Sequence, residues 1–543
     1  MTVFGVMSAV DALIVGAGPV GLTLAVECAR RKVSFRIVDA AEAPSQTSKA
    51  LAIWEAAQHV FSAQGVMPRM QEEGLRPAAI RLATQRGTLL RVPREAFGSG
   101  GRHGPLILPQ SNTERILLDH LSGLGHTVER PWEFVGMTGD DAGVTARLAG
   151  PDGATEEVRC RYLVGCDGAH SAVRHAGGFR FEGRALPDCF ILCDATVAGP
   201  LPPEPEVMIF LSRFGVLPMF PIRDNVWRII STRDPHAGTA PPTLEELQEH
   251  VNQRGPRGLT LSNPEWLSTF RISERRVDRF RMGRIILAGD AAHIHSPAGG
   301  QGMNTGIQDA FNLGWKLALI FHHNADAEVL LTSYHEERAP EASRVISDAG
   351  WRTKLAMFNR GPLAALRNVG ASLLGKSPAG IARVAASLSG AHTAYDRSPI
   401  NGSDSAWHED WRAHGSQPGH RMLDAMVSVD DLRVSLFEQV LASTKYTLIF
   451  YSGRRPNYQD ASMADELRTR AADHADLLSC LSVWRGEHAP DESWLLDPDG
   501  SAHRAAGADF TAAVLVRPDG FVAARSQPAD LAPLLAALAA CGT

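Results

Sequence analysis

The sequence predicts an α/β fold, in which a doubly wound parallel sheet is interrupted by a mainly antiparallel sheet and followed by a smaller α/β module. At three separate places an apolar run ends in glycine or aspartate and leads into a helix, as in parallel sheets that bind nucleotides. Residues 186–275 instead show short alternating strands around one helix, which is typical of an antiparallel sheet. Beyond residue 420, strand and helix patterns alternate again and indicate the further module.

The first strand end carries a nucleotide-binding motif. The apolar strand 11–15 leads into Gly16-Ala-Gly18-Pro-Val-Gly21, then a helix, then a second strand that ends at Asp39. Gly16 permits a tight turn, Gly18 lets a pyrophosphate approach the backbone, and Gly21 lets helix and strand pack closely. Asp39 is placed to accept hydrogen bonds from both hydroxyls of an adenosine ribose. The unit predicts a Rossmann-like site for FAD or NAD rather than NADP.

Two later strand ends resemble the first. Asp167-Gly168 follows an apolar strand and precedes a helix, and Gly289-Asp290 follows the apolar run 285–288. After Gly289-Asp290 come a glycine-rich bend and an apolar-periodic helix. That order places backbone N–H groups and the positive end of a helix dipole beside a strand end, which predicts an anion site.

Composition and charge argue against several classes of function. The 543 residues are 44% apolar and 21% charged, with a net charge of -6, so we expect no general attraction to nucleic acid or anionic lipid. No apolar stretch approaches ~18 residues, and the chain start has no basic region, so we expect no membrane span and no signal peptide. Seven cysteines show neither Cys-x-x-Cys nor zinc-site spacing, which indicates free thiols in a reducing cytoplasm and no metal site.

The shifts in pattern divide the chain into domains. We expect a discontinuous dinucleotide-binding domain from 1–185 and 276–400, a substrate-binding β-sheet domain from 186–275 with a contribution from 76–105, a linker from 401–419, and a C-terminal domain from 420–543.

Large apolar side chains are frequent in the antiparallel segment. We expect most of them to form the core of the sheet and a few to line a substrate pocket. The pocket candidates are Met208, Phe210, Phe220 and Trp227, together with Pro297 in the glycine-rich bend.

Taken together, the glycine motif, Asp167-Gly168 and Gly289-Asp290 resemble, in order and context, the motifs of the FAD-dependent aromatic hydroxylases. These are single-component flavin monooxygenases of the para-hydroxybenzoate hydroxylase fold. The chain looks most similar to the phenol hydroxylase-like and polyketide-hydroxylating subgroup, which carries a C-terminal thioredoxin-like domain. Residues 515–523 resemble the closing hairpin of that domain, although Cys-x-x-Cys is missing. The resemblance covers nearly the whole chain.

The resemblance implies a role for each matching position. The glycines of the first motif and Asp39 would hold the ADP half of FAD, and Gln110 would contact the cofactor. Asp167 and Gly168 would serve FAD and also a transient NADPH or NADH. The remaining implied cofactor contacts are Gly289 and Asp290 at the ribityl or pyrophosphate region, and Pro297, Gly300, Gly302, Met303 and Asn304 beside the isoalloxazine.

The chain departs from the family at two positions. Lys49 stands where arginine is common, and Ala56 stands where a second basic residue is frequent. Lysine keeps the charge at the cofactor site but loses the bidentate fork of arginine.

The reaction implied by the resemblance consumes NAD(P)H and O2. FAD is reduced, a C4a-hydroperoxyflavin forms, and a phenolic or polycyclic aromatic, polyketide-like substrate is hydroxylated. Two alternatives stay open: Baeyer–Villiger or epoxidising oxygenation of a polyketide-like or antibiotic-like substrate, and a flavin-binding assembly protein with little turnover. The resemblance fits a cytoplasmic enzyme, and a homodimer is possible.

No catalytic base stands out in the sequence. His293 and His295 flank the bend, and His295 is a flavin-facing candidate with Pro297 and Gly300. For the two histidines we expect structural roles, one packed on backbone and the other facing solvent.

Overall fold

The computed structural model describes residues 8–47, 50–98, 104–234, 238, 240–358, 361–390, 393–406, 411, 415–430 and 432–542. Lys49, one of the implied cofactor contacts, lies outside the described residues. Within these ranges no helix is both long enough and apolar enough to cross a membrane.

The described chain forms strands from its beginning to its C-terminal part. They are β1 (Ser8–Val15), β2 (Phe35–Val38), β3 (Ala52–Ile53), β4 (Ala79–Thr84), β5 (Gly87–Pro93), β6 (Leu106–Ile107), β7 (Glu133–Gly139), β8 (Val144–Ala149), β9 (Thr155–Gly165), β10 (Phe181–Ala198), β11 (Val207–Ser212), β12 (Gly215–Arg223), β13 (Val226–Arg233), β14 (Thr260–Val277), β15 (Arg281–Met282), β16 (Ile285–Leu287), β17 (His293–Ile294), β18 (Asp404–Ala406), β19 (Met426–Val429), β20 (Leu432–Ser435), β21 (Tyr446–Tyr451), β22 (Leu478–Arg485), β23 (Leu495–Asp497), β24 (Ala512–Val516) and β25 (Val522–Gln527).

The α-helices connect these strands and cover the sheets. They are α1 (Pro19–Arg30), α2 (Glu55–Ala63), α3 (Met67–Glu73), α4 (Gln110–Gly123), α5 (Ala172–Ala176), α6 (Leu244–Arg254), α7 (Gly302–His322), α8 (Ala327–Met357), α9 (Gly361–Gly375), α10 (Pro378–Ser389), α11 (Leu436–Ala442), α12 (Tyr458–Ala471), α13 (Ser501–Ala506) and α14 (Ala532–Ala539).

The first sheet has seven strands, in the order β15-β16-β9-β1-β2, and β8 and β7 extend it beside β9. The central strands β16, β9, β1 and β2 run parallel. Helix α1 begins at Pro19 directly after Gly18, because the fixed φ of proline suits the first turn of a helix. It packs against α7, and both helices are buried along most of their length.

The second sheet has eight strands, in the order β17-β14-β10-β13-β12-β11-β4-β5. Its described strand pairs are antiparallel except for β11 and β4. The sheet extends beyond 186–275, because β10 begins at Phe181, β14 ends at Val277, and β4 and β5 come from residues 79–93.

The third sheet has eight strands, in the order β18-β25-β24-β21-β22-β23-β19-β20. Its strand β18 lies within the predicted linker 401–419, so part of that segment belongs to the third sheet. Asp404 accepts from Nε and Nη2 of Arg525 over 2.9 Å each, which explains why this strand shows no apolar pattern. The predicted fold class is confirmed: a Rossmann-like domain with an inserted, mainly antiparallel sheet precedes a thioredoxin-like α/β domain.

Candidate functional site

A row of strand ends forms the centre of the site. Val15 of β1 lies beside Val38 of β2 and Gly165 of β9, and Gly165 lies beside Leu287 of β16. Because the strands are parallel, the chain leaves all of them at one edge of the sheet. The structure therefore brings the three predicted motifs and the aspartate after β2 together at that edge.

An open cleft of about 460 Å³ lies over part of this edge, and its size suits a nucleotide. Its lining includes Gly16, Gly18, Asp39, Trp132, Asp167 and Gly168. Gly289 and Asp290 do not line the cleft. A ligand that fills the cleft and reaches the third motif must therefore be extended.

The three glycines of the first motif are needed for different structural reasons. Gly16 has φ +100°, and a Cβ there would lie 2.4 Å from the Cys166 carbonyl oxygen. At Gly21 a Cβ would lie 1.9 Å from the Gly16 carbonyl oxygen. At Gly18 a Cβ would meet nothing within 4 Å. Packing explains the outer two glycines, whereas the open space at Gly18 fits close approach of a pyrophosphate to the N-terminus of α1.

Asp39 is held at the mouth of the cleft by three donors. Its Oδ2 accepts from the Ala17 N–H over 2.6 Å, and its Oδ1 accepts from the Ala41 N–H over 2.9 Å. Arg130 Nη1 also donates to Oδ1 over 2.7 Å. Nothing local in the sequence indicates Arg130, which reaches the site because Val38 forms a bridge with Glu129.

Asp167 lines the same cleft and has one buried, unused acceptor. Its Oδ2 accepts from the Val173 N–H over 3.0 Å, whereas its buried Oδ1 has no hydrogen-bond partner among the described residues. A buried carboxylate oxygen without a donor is costly, so this atom suits a hydrogen-bond donor on a ligand. Arg174 fixes the neighbourhood by donating to the carbonyls of Ala169 over 2.7 Å and Ala291 over 3.0 Å.

Gln110 is the first residue of α4. Its Nε2 donates to Glu114 Oε1 over 2.8 Å, so its side chain is engaged within the helix. Burial raises the pKa of Glu114 despite this hydrogen bond.

Gly289 and Asp290 form a short 3-10 turn at the end of β16. Gly289 has φ +60°, and its N–H donates to the buried Asp309 Oδ2 over 3.0 Å. The Asp290 side chain is exposed. The buried Asp309 thus anchors the turn from the protein interior, while Asp290 stays accessible to a ligand.

The glycine-rich bend is fixed by Asn304 and Trp54. The Asn304 Nδ2 donates to the carbonyls of Ala52 and Gly300 over 2.8 Å each, and its Oδ1 accepts from the Trp54 N–H over 2.7 Å. Trp54 Nε1 donates to the Gly299 carbonyl over 2.8 Å. The Asn304 side chain therefore braces the bend, which leaves the first N–H groups of α7 as the donors that a ligand can use.

The two histidines beside the bend differ in burial, since His293 is enclosed and His295 is half-buried. His295 Nδ1 lies 2.7 Å from the Ser296 carbonyl oxygen and therefore carries the proton, and its buried Nε2 has no partner among the described residues. Burial lowers the pKa of His295 to about 4, so the ring is neutral at neutral pH. His293 Nε2 lies 2.8 Å from Asp309 Oδ2 and is fully enclosed. His293 therefore pairs with a buried carboxylate, whereas the half-buried His295 binds backbone.

Three of the expected pocket residues face away from this site. Met208, Phe210 and Trp227 belong to a core with Leu247 and Val251 of α6, so their assignment to the pocket is wrong. Side chains alternate between the faces of a strand, and these three point to the face that α6 covers.

The opposite face of the second sheet approaches the bend. Phe220 lies there with Ile209, in a cluster that also contains Trp54 and Phe97. The Trp54 and Phe97 rings are 6.1 Å apart. Pro297 is exposed at the bend. Among the described residues there is no group of three or more His, Cys, Asp or Glu side chains that could hold a metal ion.

Comparison with known proteins also indicates an FAD-binding monooxygenase, and the similarity extends along nearly the whole chain. Residues 9–349 match the family described as FAD binding domain. The chain is 33% identical over 541 residues to the 6-methylpretetramide 4-monooxygenase of Streptomyces rimosus, covering 97% of this chain and 93% of that protein.

Solved structures share the complete architecture. The anhydrotetracycline hydroxylase OxyS from Streptomyces rimosus superposes with a TM-score of 0.75 at 28% identity, covering 98% of this chain and 99% of that chain. The flavin-dependent monooxygenase PieE, solved with FAD and substrate, shares the fold with a TM-score of 0.80 at 22% identity, covering 98% and 99%. The chain therefore belongs to the FAD-binding domain family of flavin-dependent monooxygenases.

Proposed function

We propose that the chain is an FAD-dependent, NAD(P)H-consuming monooxygenase that hydroxylates a phenolic or polycyclic aromatic, polyketide-like substrate. The observation that carries the proposal is the open space over Gly18 at the start of α1, beside the fixed carboxylate of Asp39. The 6-methylpretetramide 4-monooxygenase that aligns with nearly the whole chain supports the class of reaction and of substrate.

The residues at the sheet edge fit an extended FAD. Gly18 and the N-terminus of α1 would receive the pyrophosphate, and Asp39 would accept from the adenosine ribose. The free Oδ1 of Asp167 and the exposed carboxylate of Asp290 would face the middle of the cofactor. When bound, FAD supplies the redox chemistry, taking electrons from a nicotinamide and passing them to dioxygen.

The bend and the first turn of α7 would receive the flavin ring. The segment Pro297–Gly302 is held rigidly by Trp54 and Asn304, and the N–H groups of Gly302, Met303 and Asn304 begin a helix whose dipole favours negative charge. His295 adds no charge here, because burial keeps its ring neutral.

The substrate would lie between the bend and the face of the second sheet that carries Phe220. Trp54, Phe97 and Ile209 make this region apolar, which suits an aromatic ring and excludes water from the reacting atoms. In this proposal residues 1–185 and 276–400 hold the cofactor, 186–275 with 76–105 hold the substrate, and 420–543 form a separate domain.

The full-length protein loaded with FAD tests this function with a panel of simple and polycyclic phenols. We expect NADPH or NADH consumption to rise with substrate, and a product with one added hydroxyl on an intact ring. Ring opening or a lactone would favour the Baeyer–Villiger alternative, and an epoxide would favour the epoxidising one. FAD-loaded protein with no substrate-stimulated consumption would overturn the proposal in favour of a flavin-binding assembly protein.

A further inference from the structure

The turn from Arg517 to Gly520 of the C-terminal domain enters the FAD-binding domain. Arg517 Nη1 and Nη2 donate to Oε1 and Oε2 of Glu337 on α8, over 2.6 and 2.9 Å. Asp519 Oδ2 accepts from Trp315 Nε1 on α7 over 3.0 Å. The turn is therefore inserted between α7 and α8.

The charges in this contact are buried and balanced. Lys316 donates to Glu337 Oε2 over 2.8 Å, so two carboxylates face two cations. Burial lowers the pKa of Lys316 to about 8, although the negative charge of Glu337 acts to raise it. Burial alone would raise the pKa of Glu337, but Arg517 and Lys316 lower it overall. Because separation would leave unpaired buried charges, the turn and the helices keep one relative position.

Tyr395 connects this contact to the strand end at Gly289. Its ring stacks on Phe521 at 4.2 Å, and the Arg517 guanidinium lies 5.3 Å from the ring centre. The Tyr395 hydroxyl oxygen accepts from Arg338 Nη1 over 2.9 Å. Tyr395 thus touches the C-terminal domain with its ring and α8 with its hydroxyl.

Arg338 continues the connection to the cofactor edge. Its Nε donates to Asp309 Oδ1 over 2.7 Å. Asp309 Oδ2 accepts from the Gly289 N–H over 3.0 Å and contacts His293 Nε2 at 2.8 Å. Asp309 is fully enclosed, so the direction of its carboxylate depends on these partners.

We propose that Tyr395 and Arg338 are positioning residues through which the C-terminal domain sets the Gly289–Asp290 turn, with Asp309 as the last link. Removing the Tyr395 hydroxyl frees Nη1 of Arg338 and leaves the guanidinium on Asp309 and on the Thr305 carbonyl, which Nη2 reaches over 3.2 Å. With one of these three anchors gone, the guanidinium and the Asp309 carboxylate can shift. The Gly289 amide then loses its fixed direction, and Asp290 moves with it. The inference rests on the proposed flavin site.

The test compares Tyr395→Phe with Tyr446→Phe in the full-length protein. Tyr446 is a buried tyrosine of the C-terminal domain whose ring packs edge-on against Trp315 at 5.8 Å and whose hydroxyl contacts Cys541 Sγ at 3.4 Å. Tyr446→Phe keeps the ring and removes only the contact of the hydroxyl with Cys541. The readouts are the FAD dissociation constant, the visible circular dichroism of bound FAD, and the melting temperature without FAD. We expect Tyr395→Phe to weaken FAD binding about threefold to tenfold and to alter the flavin spectrum, as mutations along coupled networks do.

The control is expected to keep the affinity and the spectrum of wild type, even if both variants melt earlier without FAD. Equal affinities and spectra for both variants would overturn the inference. A wild-type protein that binds no FAD would instead overturn the proposed function, so the two failures are distinct.

The variant Arg338→Lys tests the route independently, because it keeps the charge and loses the guanidinium donors. If Tyr395 acts through Arg338, the loss of affinity in the double variant is smaller than the product of the single losses. If the loss of FAD affinity in the double variant equals the product of the two single losses, Tyr395 and Arg338 act separately, and the proposed connection is wrong.

Discussion

Arg130 Nη1 donates to Asp39 Oδ1 over 2.7 Å at the mouth of the nucleotide cleft. Two backbone N–H groups hold the same carboxylate, so its orientation is fixed before a ribose arrives. The cofactor edge is thus preorganised by a residue that is far from Asp39 in sequence.

Asp39→Asn is expected to weaken FAD binding about tenfold to a hundredfold, because hydrogen bonds to a charged acceptor contribute about 1.5–3 kcal/mol. The neutral amide can still accept from the Ala17 N–H, so folding is largely kept. Fluorescence titration of the apoprotein with FAD measures the change. Asp140→Asn, in an exposed loop, is the control. Equal affinities of the two variants would exclude Asp39 from the ribose contact.

Gly18→Ala and Gly21→Ala are expected to fail in different ways. Gly18 has φ -77° and open space around a Cβ, so the alanine variant folds with a loss of at most about 1 kcal/mol at a helix N-cap. Its FAD affinity falls about tenfold or more, equivalent to about 1.4 kcal/mol. Gly21→Ala instead destabilises the apoprotein, because the new Cβ meets the Gly16 carbonyl. Melting curves with and without FAD measure both effects, and an unchanged FAD affinity in Gly18→Ala would contradict the pyrophosphate site.

Arg228 and Asp194 form a buried bidentate pair in the second sheet, over 2.7 and 2.6 Å. Arg228→Met leaves a buried carboxylate without its cation and is expected to cost about 3–5 kcal/mol in apparent free energy of unfolding. The double variant Arg228→Met with Asp194→Leu is expected to lose less than the single variant. Urea unfolding compares them, and a larger loss in the double variant would contradict this prediction.

The stability of the protein is expected to depend on pH through His295. Burial lowers its folded pKa to about 4, below the ordinary value of 6.5. As the pH falls, the His295 ring of the unfolded chain therefore binds a proton before that of the folded protein. The stability present above pH about 6.5 is lost as the pH falls toward 4, and the loss is at most about 3 kcal/mol. His295→Gln should show a shallower loss over this interval in urea unfolding. Identical slopes for variant and wild type would show that His295 is not the group involved.

The site residues that lie close together in the sequence could be predicted from it. The residues that reach the site from distant positions in the chain could not. Gly16, Gly18 and Gly21 are recognisable because strand, turn and helix follow one another along the chain. Arg130 and Trp54 join the site only through strand pairing and the packing of the bend, for which no short motif exists. Asp309 looks like an ordinary helix residue until its contact with the Gly289 N–H is seen.

The pocket residues show a second limit of sequence patterns. Both faces of the second sheet are covered, α6 on one side and the region around the bend and α10 on the other. Apolar side chains therefore occur on both faces, and size alone favoured Phe210 and Trp227 over Ile209, which lies on the face near the bend. The strand Asp404–Ala406 escaped prediction for a related reason, since its contact with Arg525 is polar.

The proposed function requires that this chain transfer oxygen from O2 to an aromatic ring. The most direct test is to incubate FAD-loaded protein, NADPH or NADH and a polycyclic phenol under isotopically heavy dioxygen, and to analyse the product by mass spectrometry. We predict a product that carries one heavy oxygen atom on an intact aromatic ring and that forms only when FAD is bound. A product whose new oxygen comes from water, or FAD-loaded protein that labels no phenol in the panel, would contradict it.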